Sequence, residues 1–206
     1  MRAQARQKIL AAALQVFAEK GYHGATITEI TQRAGVSRGL ASYYFPNKHL
    51  LVDELLDAYL DGVAAIVEIP GTPDERLAAI IDGVLGGMIG NLPVQGVILG
   101  LVVQPSTHPI FAEVEARKDE RVTLLEDSLR DLFEQRGAED PAVEEIMLRS
   151  VLEGVLYKAV VYGPQYPVEQ VRRRLYRMYD LPEPKTTLSG AEPSPVGRLR
   201  AADRGF

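Results

Sequence analysis

Apolar residues recur along this chain at the three- and four-residue spacing of helices, and no run alternates at period two as a half-buried strand would. From Gln4 to Lys20 the residues Ile9, Leu10, Ala13, Leu14 and Phe17 share one face and predict a first helix, with Gly21 and Gly24 bracketing the turn that follows. Two short helices come next, over 27–34 and 38–45. A long one starts at Asn47 and carries Leu50, Leu51, Leu55, Tyr59 and Val63 to about Glu68, where Ile69-Pro-Gly-Thr-Pro73 breaks it. Further helices are predicted over 74–91, 93–104, 110–136, 141–162 and 168–180, with Arg172, Arg173, Arg174 and Arg177 of the last one facing mostly outward. The pattern predicts an all-α protein of about nine helices. From Pro182 on, Pro, Gly, Ser and Arg replace large apolar residues, which reads as a flexible tail over 182–206.

The punctuation between the second and third helices is dense. Thr26 and Glu29 form an S/T-x-x-E capping signal ahead of Ile30. Gly35 supplies the helix stop, Ser37 caps the next helix, and Asn47 after Pro46 caps the one after that. Two short helices joined by a Gly-containing turn make a helix-turn-helix, whose second member can enter a DNA major groove. The predicted division is a helix-turn-helix head over 1–48, a helical body over 49–181, and the tail.

Charge strengthens this division. Residues 1–50 carry a net +5 and the remainder −10, within a total of −5. Phosphate attraction is therefore placed at one end. The 206 residues contain no Cys, which excludes disulfides, thiolate zinc sites and cysteine nucleophiles and fits a reducing cytoplasm. The start lacks a secretory apolar segment, and the longest apolar run, around Val97–Val103, is far short of the ~20 residues of a membrane span. A soluble, cytoplasmic protein is expected.

His23, His49 and His108 are scattered, and no G-x-S-x-G, H-E-x-x-H or dinucleotide fingerprint is present. The glycines at 83, 86, 87 and 90 lack the G-K-[ST] ending of a phosphate loop. The chain is read as non-catalytic, without cofactor or metal.

A-G-V-S-R-G at 34–39 and Y-Y-F-P-N-K at 43–48, with A-L-Q-V-F-A-E-K-G-Y-H-G-A-T-I at 13–27, resemble the signature of the tetracycline-repressor (TetR) family of bacterial regulators. The resemblance covers roughly residues 6–55. It implies a three-helix DNA-binding head, a ligand-binding helical body, and a homodimer built by the last two helices, here about 141–162 and 168–180. Arg38 would open the recognition helix toward a guanine edge or phosphate, and Gly39 would let the backbone approach the duplex. Leu40 stands where the family often has Thr, Ala41 where it usually has Leu, and Ser42 where it frequently has a phosphate-binding Tyr. Tyr43 matches a common contact position, Tyr44 is a contact candidate or core, Thr28 on the exposed side of the second helix is a further phosphate candidate, and Ser37 is counted with the DNA-binding residues. Lys48, in the first turn of its helix, is the leading phosphate candidate with Tyr43.

For the body, the resemblance implies a cavity. Tyr59, Met88, Leu92, Ile98, Val102, Phe111, Leu125, Tyr157, Val161 and Tyr162 are the candidate lining, each also a candidate for ordinary core. Their scarcity of polar groups points to a largely apolar or aromatic small molecule. The expected function is a homodimeric regulator, a repressor of a palindromic double-stranded operator released by that ligand. Two alternatives stay open: a regulator gated by a protein partner with no small effector, and a helical interaction module that has lost DNA binding, suggested by Leu40, Ala41 and Ser42.

Overall fold

A computed structural model describes residues 2–67, 69–90, 92–109, 112 and 120–188. Among the described residues there are nine α-helices, one 3-10 turn and no strand: α1 (Arg2–Gly24), α2 (Ile27–Ala34), α3 (Arg38–Tyr44), α4 (Lys48–Val67), α5 (Pro73–Gly90), α6 (Leu92–Val103), α7 (Glu120–Gln135), α8 (Pro141–Tyr162) and α9 (Val168–Met178). The all-α architecture follows the apolar periodicity closely. The first part of the helix expected over 110–136, with Phe111, and residues 189–206 of the expected tail lie outside the described residues.

The helices form two compact units. The first takes the chain up to Tyr59 together with α6 and the turn after it. Its centre is α1, which buries Ala11, Ala12 and Val16 as well as the predicted Ile9, Leu10, Ala13, Leu14 and Phe17. A helix buried on nearly all sides needs covering from several directions. Ile30 of α2, Ala41 of α3, Leu51, Val52 and Leu55 of α4, and Val94, Val97, Ile98 and Leu101 of α6 provide it. The division thus differs from the expected boundary after residue 48. The first turns of α4 and α6 from Pro93 onward pack with the head, and the small Ala11 and Ala12 let neighbours close on α1 from sides a one-face reading leaves to solvent.

The second unit holds Leu60–Leu92 and the described residues from α7 onward. Its core joins Leu77, Ile81 and Leu85 of α5, Leu129, Leu132 and Phe133 of α7, Leu148, Leu152 and Val155 of α8, and Leu175 and Tyr176 of α9. Ile146 on α8 and Met178 on α9 are half exposed. One expectation is corrected here. Arg172, expected outward, is 1% exposed. Its guanidinium bonds Asp82 of α5, Glu169 of its own helix and the carbonyl of Thr186. Burial of an arginine is tolerated only with such partners. The same network reaches past α9: Leu188 donates its N–H to Glu169, and Leu181 is buried. Residues 181–188 are therefore strapped to the unit rather than trailing from it.

Candidate nucleic-acid interface

The helix-turn-helix is built by its caps. Thr26 accepts the N–H of Glu29 at 3.2 Å and starts α2. The Glu29 carboxylate turns to Lys20 at 2.6 Å, so the sequence's capping box supplies an ion pair to α1. Gly35 ends α2 at φ 62°, ψ 34°, a left-handed conformation that costs a glycine little. The N–H groups of Gly35 and Val36 return to Gln32 and Thr31. Ser37 then accepts the N–H of Leu40 at 3.2 Å and opens α3. Its hydroxyl is thereby committed to capping. Asn47 does the same for α4, accepting the N–H of Leu50 at 3.0 Å.

Arg33 in the last turn of α2 makes two bonds, 2.6 and 2.8 Å, to the two carboxylate oxygens of Glu19 on α1. The Arg33 hydrogen bonds hold the Glu19 carboxyl below its usual range. With Ile30 buried on the other side, α2 is pinned and α3 is presented.

On α3 the residues separate cleanly. Ala41 is buried, Phe45 just beyond the helix is buried, and Tyr44 is half-buried with its hydroxyl enclosed and without a hydrogen-bond partner among the described residues. Arg38, Gly39, Leu40, Ser42 and Tyr43 are exposed, Tyr43 at 73%. Tyr43 rests edge-on against Tyr44, ring centroids 5.2 Å apart, which orients an otherwise free aromatic ring. Ala41, where the resemblance leads one to expect a larger residue, is what lets α3 lie close on α1. Thr28 is exposed on α2. The structure therefore brings Thr28, Arg38, Gly39, Leu40, Ser42 and Tyr43 to solvent, and turns Tyr44 inward.

Lys48 sits elsewhere than the sequence suggests. Its ammonium donates to the carbonyls of Tyr22 at 2.7 Å and Ala25 at 2.9 Å and lies 4.6 Å from the centre of the Tyr22 ring. It clamps the turn between α1 and α2. Nothing local in the sequence signals this, since the acceptors are carbonyls more than twenty residues earlier.

The basic balance of the head is also largely spent internally. Arg6 pairs with Glu54, Lys20 with Glu29 and Arg33 with Glu19. Among the described residues, Arg38 is the exposed cation on α3 and carries no ion pair.

The candidate ligand-lining residues do not converge. Tyr59, Ile98 and Val102 belong to the first unit, and Met88, Leu92, Leu125, Tyr157, Val161 and Tyr162 to the second. Met88 and Ile98 are buried; Tyr59, Leu92 and Leu125 are half-buried and pack against the two cores; Val102, Tyr157, Val161 and Tyr162 are exposed. A cavity of about 580 Å³ does lie in the first unit, between α1 and α6, and none of the nine candidates among the described residues lines it.

Comparison with known proteins gives concordant results. Residues 9–55 match the family model described as bacterial regulatory proteins, tetR family. The HTH-type transcriptional regulator BetI of Escherichia coli O17:K52:H18 (strain UMN026 / ExPEC) is 38% identical over 86 residues, 38% of this chain and 43% of BetI. The chain thus matches less than half the length of that relative. A TetR transcription regulator from Haloarcula marismortui ATCC 43049 superposes with a TM-score of 0.72 at 22% identity, over 87% of this chain and 98% of that one. The transcriptional regulator FadR from Bacillus subtilis, solved in complex with stearoyl-CoA, gives 0.66 at 20% identity, over 90% and 98%. The last two establish the likeness of fold.

Proposed function

We propose that this chain, a member of the tetR family of bacterial regulatory proteins, is a homodimeric DNA-binding transcriptional repressor that leaves a palindromic operator when a small, largely apolar molecule binds. The observation that carries the DNA-binding part is the outer face of α3. Capped at both flanks and pinned through α2, it presents a guanidinium, a glycine, a leucine, a hydroxyl and an oriented tyrosine within six residues. Arg38 can take a guanine edge bidentately, Leu40 can meet a thymine methyl, and Ser42 and Tyr43 can donate to bases or phosphates.

Support for the homodimer comes from α8. Val143, Met147, Tyr157 and Val161 stay exposed at alternating four- and three-residue spacing, with Ser150 and Gly154 completing the seam. An apolar stripe with small residues at its middle is what a close helix pairing needs. Two heads related by a two-fold axis read half-sites about 34–36 Å apart or a multiple of that. The ligand class rests on the cavity in the first unit, whose lining includes Phe17, Tyr22, Val97 and Leu101 and no charged side chain. No step of this reading requires catalysis, and the matched family and BetI are regulators by name.

Selection of bound fragments from random DNA at two salt concentrations tests the reading. An enriched palindrome supports it. Weak, unselective binding lost at modest salt overturns it in favour of an interaction module.

A further inference from the structure

From the cavity in the first unit we infer that the effector binds between α1 and α6, beside the DNA-reading helices, and that it is a neutral, mainly apolar molecule with one or two hydrogen-bonding groups. This rests on the ligand-released reading above and gives it a place and a chemistry.

The volume, about 580 Å³, lies within the ~300–1,000 Å³ typical of small-molecule sites. The rings of Phe17 and Tyr22, 6.0 Å apart, form part of the α1 wall. On α6 the facing surface is Gly96, Val97, Gly100 and Leu101. Gly96 and Gly100 stand one turn apart, so bare backbone forms that wall, and a Cβ added at Gly100 would meet nothing within 4 Å. Glycine is a poorer helix former than alanine. Two of them facing a hollow give up helix stability and packing together, which is the signature of space kept for something else.

The lining also specifies the ligand. It contains no Asp, Glu, Lys or Arg, and its larger polar side chains are those of Tyr22 and Gln104. A charged ligand would find no counter-ion along this lining. A neutral one would have an aromatic wall, an aliphatic wall and an amide to meet.

The site is wired to the DNA face. Gly21, at φ 67° and ψ 176°, is the kink in α1 and lines the cavity. Tyr22 lines it too, while its carbonyl and ring hold the Lys48 ammonium at the start of α4. Four residues past Tyr22, Thr26 caps α2. A ligand that moves Tyr22 therefore acts on the turn that places α2 and α3. It shifts DNA affinity by its differential affinity for the two positions of that turn.

The test uses the full chain and N-phenyl-1-naphthylamine, a neutral apolar fluorophore with a single N–H that brightens on leaving water. Saturable brightening is expected for the wild type. Gly100→Phe, which fills the hollow, should raise Kd at least about tenfold, and Gly100→Ala should stay within about twofold. Val103→Asp, at a rim position 70% exposed and therefore safe for folding, should weaken binding as well. Absence of saturable brightening in the wild type, or unchanged titrations for both Gly100→Phe and Val103→Asp, would overturn the assignment. Anisotropy of a selected duplex separates this from the regulator reading. If variants of Gly100 lose the probe but no palindrome is ever selected, the site stands and the regulator reading falls. If a palindrome is selected and probe binding ignores Gly100, the reverse holds.

Discussion

The guanidinium of Arg172 meets the carboxylate of Asp82 through two parallel bonds of 2.6 Å, Nε to Oδ1 and Nη2 to Oδ2, joining α9 to α5. The partners are unequal: the Arg172 side chain is 2% exposed and that of Asp82 33%. Removing Asp82 leaves the buried guanidinium with Glu169 and the Thr186 carbonyl only, whereas Asp82 without Arg172 can turn to water. Asp82→Leu is therefore expected to destabilise the chain by about 3 kcal/mol, and Arg172→Met by less. Urea midpoints for the two variants check this; equal losses would mean that Glu169 and the Thr186 carbonyl suffice for Arg172.

Lys48 and Arg38 should separate a clamp from a phosphate or base contact. Lys48→Met removes two charge-assisted bonds to carbonyls and should lower thermal stability by about 1.5–3 kcal/mol. Its effect on DNA affinity should come with little change in salt slope, because the ammonium is engaged within the protein. Arg38→Ala should leave stability within about 0.5 kcal/mol and lower the salt slope by about one unit if it meets a phosphate, or relax one base position if it meets guanine. A full-unit slope loss for Lys48→Met would return it to the phosphate contacts.

Tyr43 offers the sharpest loss of function without loss of fold. It is exposed, and its ring rests on Tyr44 alone of the aromatic neighbours described. Tyr43→Ala should keep the unfolding midpoint and weaken operator binding by about 1–3 kcal/mol. Tyr43→Phe divides that loss between ring and hydroxyl. Unchanged DNA affinity in Tyr43→Ala would remove this residue from the interface.

The α8 stripe predicts oligomeric state. Met147→Glu with Val161→Glu places charges on two exposed positions of the same seam and should yield a monomer by sedimentation, with helicity retained. A dimer that survives both changes would place the homodimer contact elsewhere.

Alkaline pH should weaken the second unit. Burial, with Asp82 adding to it, pushes the Tyr176 hydroxyl up to about 12, and burial, with Glu144 adding to it, does the same for Tyr179. In the unfolded chain both ionise near 10. The folded state then holds protons that the unfolded state has lost, so this stabilisation is complete below about pH 10 and disappears as pH rises through about 12. Urea midpoints across that window should fall, and Tyr176→Phe should flatten part of the decline.

Much of the head was legible because its determinants are local. Caps act over three residues and a helix stop over one, so Thr26, Gly35, Ser37 and Asn47 announce the helix-turn-helix from the chain alone. The candidate contact residues on α3 came from the resemblance to a known family, and the structure leaves Arg38, Gly39, Leu40, Ser42 and Tyr43 exposed. Lys48 and Arg172 were not legible. Lys48 opens α4 and Arg172 lies midway along α9, and the acceptors that claim them lie more than twenty residues away for Lys48 and ninety, at Asp82, for Arg172. Spacing along the chain carries no record of such partners.

What the sequence by itself determined is the all-α class and, among the described residues, most helix boundaries to within a few residues. Only the tertiary structure decided that α6 packs with the head, that Lys48 clamps a turn, that Arg172 is buried, and where a hollow remains between α1 and α6. The physical reason is range. Helix formation and capping are set by neighbours within one or two turns, whereas burial of a charge and the emptiness of a space depend on which distant surfaces meet.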